Sequence, residues 1–89
     1  MKTSRLKIVN RLGFHARAAA RFVQVASTFR SAIEIHRDGD VVDGKSILGI
    51  LALAASRGSW LELTATGPDE IEAVAALEAL VLSGFGEGE

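Results

Sequence analysis

The sequence has no cysteine, almost no net charge and no long apolar run. Without cysteine the chain can form neither a disulfide framework nor a thiolate metal site. The formal net charge of −1 offers no electrostatic excess for neutralising phosphates, so we expect no nucleic-acid partner. No stretch approaches the roughly 18 apolar residues of a membrane span, and the N-terminus shows no export signal. These absences predict a cytoplasmic protein with no membrane insertion.

The length of 89 residues supports a single domain, 1–89, whose elements must share one hydrophobic core. We find no internal repeat, low-complexity tract or linker within it. The last residues, 86–89, read G-E-G-E and are expected to be frayed.

Alternation of apolar and polar residues predicts four strands, over residues 4–9, 33–36, 40–42 and 59–66. Asp38-Gly39 is a strong two-residue hairpin signal, so the second and third strands should pair antiparallel. In the last strand, alternation separates a core face from an outward face. The core-facing residues are Leu61, Leu63 and Ala65, and the outward ones are Trp60, Glu62 and Thr64.

Apolar residues at helical spacing predict helices over 16–27 and 47–55. A third helix should follow Gly67-Pro68-Asp69-Glu70 and end near Gly84, with its acidic first turn explained by the helix dipole. Its expected buried stripe is Ile71, Val74, Leu77 and Val81. The stripe of the first helix is Ala19, Phe22, Val23 and Ala26.

The resulting order is β-α-β-β-α-β-α, which predicts an α+β fold. Its simplest packing is an open-faced β-sandwich, a four-stranded antiparallel sheet with three helices on one face. Such architectures host many functions, so the site residues must decide the function.

The segment Asn10–Ala20, N-R-L-G-F-H-A-R-A-A-A, contains the residues with chemical potential. Gly13 allows a turn, and small helix formers begin directly after His15, which becomes a predicted N-cap. The first backbone N–H groups of a helix attract an anion. A neutral imidazole there can act as a nucleophile and carry a phosphoryl group, with Arg17 neutralising charge. By spacing alone, a histidine that only caps a surface helix is the favoured interpretation, because His-x-Arg is short and common.

Two motifs resemble those of the HPr family, the histidine-containing phosphocarrier proteins of the bacterial phosphotransferase system. Gly13-Phe14-His15-Ala16-Arg17 and the following alanine-rich helix resemble the family's active-site signature. Gly44-Lys45-Ser46-Ile47-Leu48-Gly49-Ile50-Leu51 resembles its second signature, around a regulatory serine. The motifs lie at the expected separation, and the resemblance covers essentially the whole chain.

The resemblance implies a stoichiometric phosphoryl carrier and not a turnover enzyme, with no cofactor and no metal. His15 would accept the phosphoryl group from phospho-enzyme I through Nδ1 and pass it to an enzyme IIA domain. Arg17 would contact the phosphate and the partners, and an HPr kinase would modify Ser46. The backbone of Ala16, Arg17 and Ala18 would form the phosphate cradle. The implied docking surface consists of Ala20, Arg21, Gln24, Ile47, Leu48 and Leu51.

Ala18 departs from the family pattern, which has proline three residues after the histidine. Replacing proline restores a backbone N–H in the first turn and removes rigidity. We expect phosphoryl acceptance to survive, with changed tuning of rate or partner choice. The departure leaves both a sugar-uptake and a regulatory branch open.

Ser46 is expected to cap the second helix whether or not a kinase also uses it. An alternative function follows, a regulatory interaction module controlled through Ser46 with His15 unused. A third, a small-ligand-binding domain, would need a pocket that the sequence does not reveal. We expect a monomer, because a relay must release its partners quickly. His36 and Trp60 are interpreted as an outward-facing and a packing residue of the sheet.

Overall fold

The computed structural model describes residues 1–86, in which three helices cover one face of a four-stranded sheet. The predicted fold class and element order are confirmed. In chain order, the elements are β1 (Lys2–Lys7), α1 (Ala16–Ala26), β2 (Ala32–Arg37), β3 (Asp40–Asp43), α2 (Ile47–Ala52), β4 (Trp60–Thr66) and α3 (Glu70–Leu82). A short 3-10 helix, Gly84–Gly86, follows α3 and is called the C-terminal turn below.

The strands lie in the order β1-β4-β2-β3, and every neighbouring pair is antiparallel. The register places Leu63 of β4 opposite Ile35 of β2, which in turn lies opposite Val42 of β3. Paired residues share one face of a sheet, so these apolar side chains all point toward the helices. The three predicted core residues of β4 are indeed buried.

Two helix predictions need correction. Ile71 was expected in the core but is 65% exposed, and Ala73 is buried instead. At about 100° per residue, Ile71 lies about 60° beyond Val74 on the side away from Ala73, so it falls outside the stripe. The second helix was expected to reach residue 55 but ends at Ala52, because Ala54 turns the chain with φ of +50°. That turn buries both Leu53 and Ala55.

The end of α3 follows the prediction more closely. Ser83 caps the helix and Gly84 adopts φ of +68°, the left-handed conformation that commonly terminates helices. The N–H of Gly86 donates to the carbonyl of Ser83 at 3.3 Å. Residues 87–89 of the expected frayed tail lie outside the described residues. Within residues 1–86, no helix is both long and apolar enough to cross a bilayer.

Asp69 ties the start of α3 to the connection between α1 and β2. Its side chain makes no capping bond to its own helix. The carboxylate instead accepts hydrogen bonds from the N–H of Arg30 at 2.8 Å and from the N–H and hydroxyl of Ser31 at 2.9 and 2.5 Å. These bonds, led by the Ser31 hydroxyl, lower the pKa of Asp69. The charged carboxylate therefore stabilises the fold.

We expect Asp69→Asn to lower the thermal unfolding midpoint at pH 7, because one carboxylate oxygen becomes an amide nitrogen, which cannot accept the hydrogen bond that this oxygen accepts. The folded-state pKa lies below the unfolded value, so the stabilisation is fully present above the ordinary aspartate pKa of about 3.9 and is lost as the pH falls through the folded value. The difference in thermal unfolding midpoint between wild type and Asp69→Asn should thus become smaller in acid. Asp38→Asn, at an exposed turn, is the matched control. An equal decrease of the thermal unfolding midpoint in both variants at pH 7 would contradict the stabilising role of the Asp69 carboxylate.

Candidate functional site

The site loop, Asn10–Phe14, connects β1 to α1, and hydrogen bonds hold it in place. The Asn10 side chain, which is buried, donates through Nδ2 to the carbonyl of Gly13 at 2.7 Å. The N–H of Gly13 donates a hydrogen bond to the carbonyl of Asn10 at 3.1 Å. The N–H of Phe14 donates to the carbonyl of Ala55 at 2.9 Å, which fixes the loop against the segment before β4.

Gly13 is required here for two separate reasons. Its φ of +68° lies in the left-handed region that side chains disfavour. A Cβ at this position would also lie 2.7 Å from the Ala55 carbonyl oxygen and 2.9 Å from Cα of Ser56. The glycine of the first motif therefore allows the loop to lie directly on this backbone.

His15 occupies the N-cap of α1, as predicted. Its backbone is extended, with φ of −79° and ψ of −179°, and its carbonyl accepts the N–H of Ala19 at 2.8 Å. Its Nδ1 accepts the backbone N–H of Arg17 at 3.3 Å. An accepting Nδ1 carries a lone pair, which assigns the ring proton of the neutral imidazole to Nε2. The lone pair of Nδ1 thus faces the positive end of α1.

The first turn of α1 provides a setting for an anion. Ala16, Arg17 and Ala18 open the helix, and no acidic residue lies in this turn. The N–H groups of a first turn have no carbonyl partner within their own helix. Ala16 and Arg17 are exposed, whereas the Ala18 side chain is completely buried. A larger residue at position 18 must therefore repack the core beneath the site.

The docking surface of the sequence prediction lies on two helices that pack against each other, α1 and α2. Leu48 is 81% exposed, about twice the exposed fraction of its neighbour Ile47, which is 40% exposed. Ile47, Ala20 and Gln24 are also exposed, while Leu51 is half-buried. Arg21 is half-buried too, and its Nη1 donates to the carbonyl of Phe85.

Leu12 is an exposed apolar residue close to His15 in the chain, and the sequence prediction did not include it. It is 57% exposed on the site loop, two residues before Phe14. No sequence signal distinguished this leucine, since single exposed apolar residues are common on protein surfaces.

Ser46 is the N-cap of α2, which confirms the predicted structural role. Its backbone is extended and its Oγ accepts the N–H of Gly49 at 3.0 Å. The residues before it hold the motif in place: a Cβ on Gly44 would overlap the side chain of Ile33, and Nζ of Lys45 donates to the carbonyl of Phe29 at 2.8 Å. Ser46 itself is half-buried.

The outer face of the sheet carries Trp60, which is 51% exposed. The guanidinium carbon of Arg5 lies 4.7 Å from its ring centroid, so a cation-π contact packs this side chain against β1. His36 is half-buried, with Nε2 3.4 Å from a carboxylate oxygen of Glu34. Over residues 1–86, no group of three or more His, Asp or Glu side chains is arranged to hold a metal ion.

A family model, the sequences of known proteins and solved structures all match this chain, and they point to the same family. The family model described as the PTS HPr component phosphorylation site matches residues 2–83. The chain is 51% identical to the phosphocarrier protein HPr of Cupriavidus necator over 92% of each chain. It is 48% identical to HPr of Thermoanaerobacter tengcongensis, whose crystal structure superimposes with a TM-score of 0.95 over 98% of both chains.

A further solved structure is of Crh, a catabolite repression protein of Bacillus subtilis. It is 39% identical to this chain, with a TM-score of 0.77 and coverage of 94% of this chain and 97% of Crh. The Crh crystal structure is a domain-swapped dimer.

The two roles of Gly13 predict an unequal pair of substitutions. Gly13→Ala forces both a left-handed alanine and a collision with the Ala55 carbonyl, whereas Gly58→Ala, at φ of +91° with nothing within 4 Å, forces only the first. We expect Gly58→Ala to lower the free energy of unfolding by about 1 kcal/mol and Gly13→Ala by clearly more, measured by urea denaturation. Equal losses of unfolding free energy in the two variants would show that the close approach of Gly13 to the Ala55 carbonyl does not constrain the loop.

Proposed function

The chain belongs to the HPr family of phosphotransferase-system phosphocarrier proteins, and on this basis we propose that His15 accepts a phosphoryl group from phospho-enzyme I and passes it to an enzyme IIA domain. The observation that carries the proposal is the position of Nδ1, which accepts the N–H of Arg17 at the N-terminus of α1. A nucleophilic lone pair and an anion-binding helix end are thereby joined in one place.

The geometry supports a simple displacement. The Nδ1 lone pair attacks phosphorus, a bond from Nδ1 to phosphorus forms, and the bond from phosphorus to the donor group breaks. The N–H of Arg17 then donates to a phosphoryl oxygen, because Nδ1 no longer has a free lone pair. The Arg17 guanidinium and the positive end of α1 neutralise the transferred charge. Transfer to the acceptor reverses these steps, so the protein carries the group without turning over a small molecule.

Recognition of both partners is assigned to the docking surface. Its exposed apolar residues Ile47 and Leu48 fit the apolar centre of a partner's interface. The guanidinium groups of Arg17 and Arg21 fit acidic residues at the rim of that interface. A relay of this kind acts in the cytoplasm as a monomer that docks transiently. A swapped dimer is recorded for the relative Crh, so a monomer remains a prediction for this chain.

Phosphoenolpyruvate and a cognate enzyme I should place an acid-labile, alkali-stable phosphate on the wild-type protein. His15→Ala should abolish this label, and the matched variant His36→Ala should retain it, because His36 lies on the sheet and not at a helix start. The measurement is radiolabel or intact mass after acid and alkali treatment. A label that survives His15→Ala, or no label on the wild type, would contradict the proposal.

A second candidate function is control through phosphorylation of Ser46. Its position at the start of α2, directly before the exposed Ile47 and Leu48, favours this function. A phosphoryl group there would add roughly two negative charges at a helix start, where the local field accepts them. Those charges would also lie beside Ile47 and Leu48, where desolvation on docking is unfavourable. Modification should therefore weaken partner docking while leaving the fold intact.

Ser46→Asp should raise the KM of enzyme I for this protein with little change in thermal midpoint, since aspartate is as good an N-cap as serine. Ser46→Ala separates charge from capping: it should cost about 1 kcal/mol of stability but leave the KM unchanged. The measurement is steady-state phosphoryl transfer together with thermal unfolding. An unchanged KM for Ser46→Asp would argue against control by charge at this position.

A further inference from the structure

The C-terminal turn has an unusual backbone. Gly84, Phe85 and Gly86 have φ values of +68°, +59° and +72°. Glycine adopts this left-handed region readily, but a bulky residue such as phenylalanine does so rarely. A non-glycine residue held there must be compensated by contacts in the surrounding structure.

The compensating contacts of Phe85 lie at the candidate site. Its side chain is completely buried, and its ring lies 5.1 Å from the ring of Phe14, the residue directly before His15. Phe14 in turn packs edge-on against Phe22 of α1, with ring centroids 5.4 Å apart. Phe14 is therefore held between the C-terminal turn on one side and α1 on the other.

The backbone of the C-terminal turn contacts the same region. The carbonyl of Phe85 accepts a hydrogen bond from Nη1 of Arg21, one turn along α1 from Arg17. The Cα of Gly84 faces Asn10, since a Cβ built on this glycine would lie 3.5 Å from Cβ of Asn10. The turn thus touches the first residue of the site loop, the last residue of the loop and the helix that follows.

We propose that Phe85 is a positioning residue for phosphoryl transfer, acting through Phe14 to hold His15 in the geometry that directs Nδ1 to the N-terminus of α1. The inference rests on the proposed function, because its consequence is a transfer rate. Without the Phe85 ring, Phe14 loses the packing on one face and can shift with the loop. The bond from the Arg17 N–H to Nδ1 is at 3.3 Å and exposed, so a small movement of His15 breaks it.

The test compares Phe85→Ala with Leu63→Ala, a matched core truncation on the central strand β4. Both leave a cavity and both lower the thermal midpoint, but only the first removes support from the site loop. We expect Phe85→Ala to reduce the rate of phosphoryl acceptance from enzyme I by about tenfold to a hundredfold, as small misplacements of a reacting group do. Leu63→Ala should stay within about twofold of wild type at a temperature where both variants are folded.

Amide NMR provides a readout that stability alone does not move. The Arg17 N–H signal should shift and exchange faster with solvent in Phe85→Ala but not in Leu63→Ala. Phe85→Leu, which restores apolar volume, should recover most of the rate and of the Arg17 protection, and it serves as the folded variant if Phe85→Ala does not fold.

Three outcomes would overturn the inference. Equal rates in Phe85→Ala and Leu63→Ala, or an Arg17 amide signal in the folded Phe85 variant that is unchanged from wild type, would assign Phe85 a purely structural role while the proposed function stands. Failure of the wild type to accept any phosphoryl group would overturn the proposed function itself and this inference with it.

Discussion

The structure depends on burying one face of a twisted sheet beneath three helices, and this constraint determines where the site lies. Ile8 follows β1 and is completely buried, so the chain must leave the sheet by turning over the core and not away from it. Phe14, also buried, brings the chain back before α1 begins. The chain between the buried residues Ile8 and Phe14 is short and consists mainly of the site loop. His15 therefore lies at a helix N-terminus, directly above the core.

The chemistry of the site follows from this position of His15 at the N-terminus of α1 and not from a pocket. An N-cap residue has an extended backbone, which leaves its side chain free to reach the first N–H groups of the helix. When that side chain is an imidazole, the contact presents one lone pair of Nδ1 to the positive end of the dipole. In the proposed function, the same arrangement would stabilise the phosphorylated product, because the donor that orients the lone pair would become a donor to the phosphoryl group. An exposed site of this kind suits a phosphoryl carrier of the HPr family.

Local patterns were sufficient to predict the parts of the structure that are determined locally. Gly13 before a run of alanines predicted the loop, the cap and the start of α1, since turn and capping preferences act over a few residues. Contacts across long sequence separations were not predictable in the same way. Asp69 bonding Ser31 and Phe85 packing on Phe14 depend on how α3 crosses the sheet, which no short motif encodes. The misplaced Ile71 has the same origin, because an almost uniformly apolar helix does not indicate which stripe faces inward.

We propose that Nδ1 of His15 is the atom that carries the phosphoryl group. Long-range nitrogen–proton NMR of the imidazole, recorded before and after treatment with phosphoenolpyruvate and enzyme I, tests it most directly, since it identifies the ring nitrogen that becomes bonded to phosphorus. The geometry predicts that phosphorus appears on Nδ1, together with a shifted Arg17 amide signal as its N–H moves to a phosphoryl oxygen. Phosphorus on Nε2, or on a residue other than His15, would contradict the account.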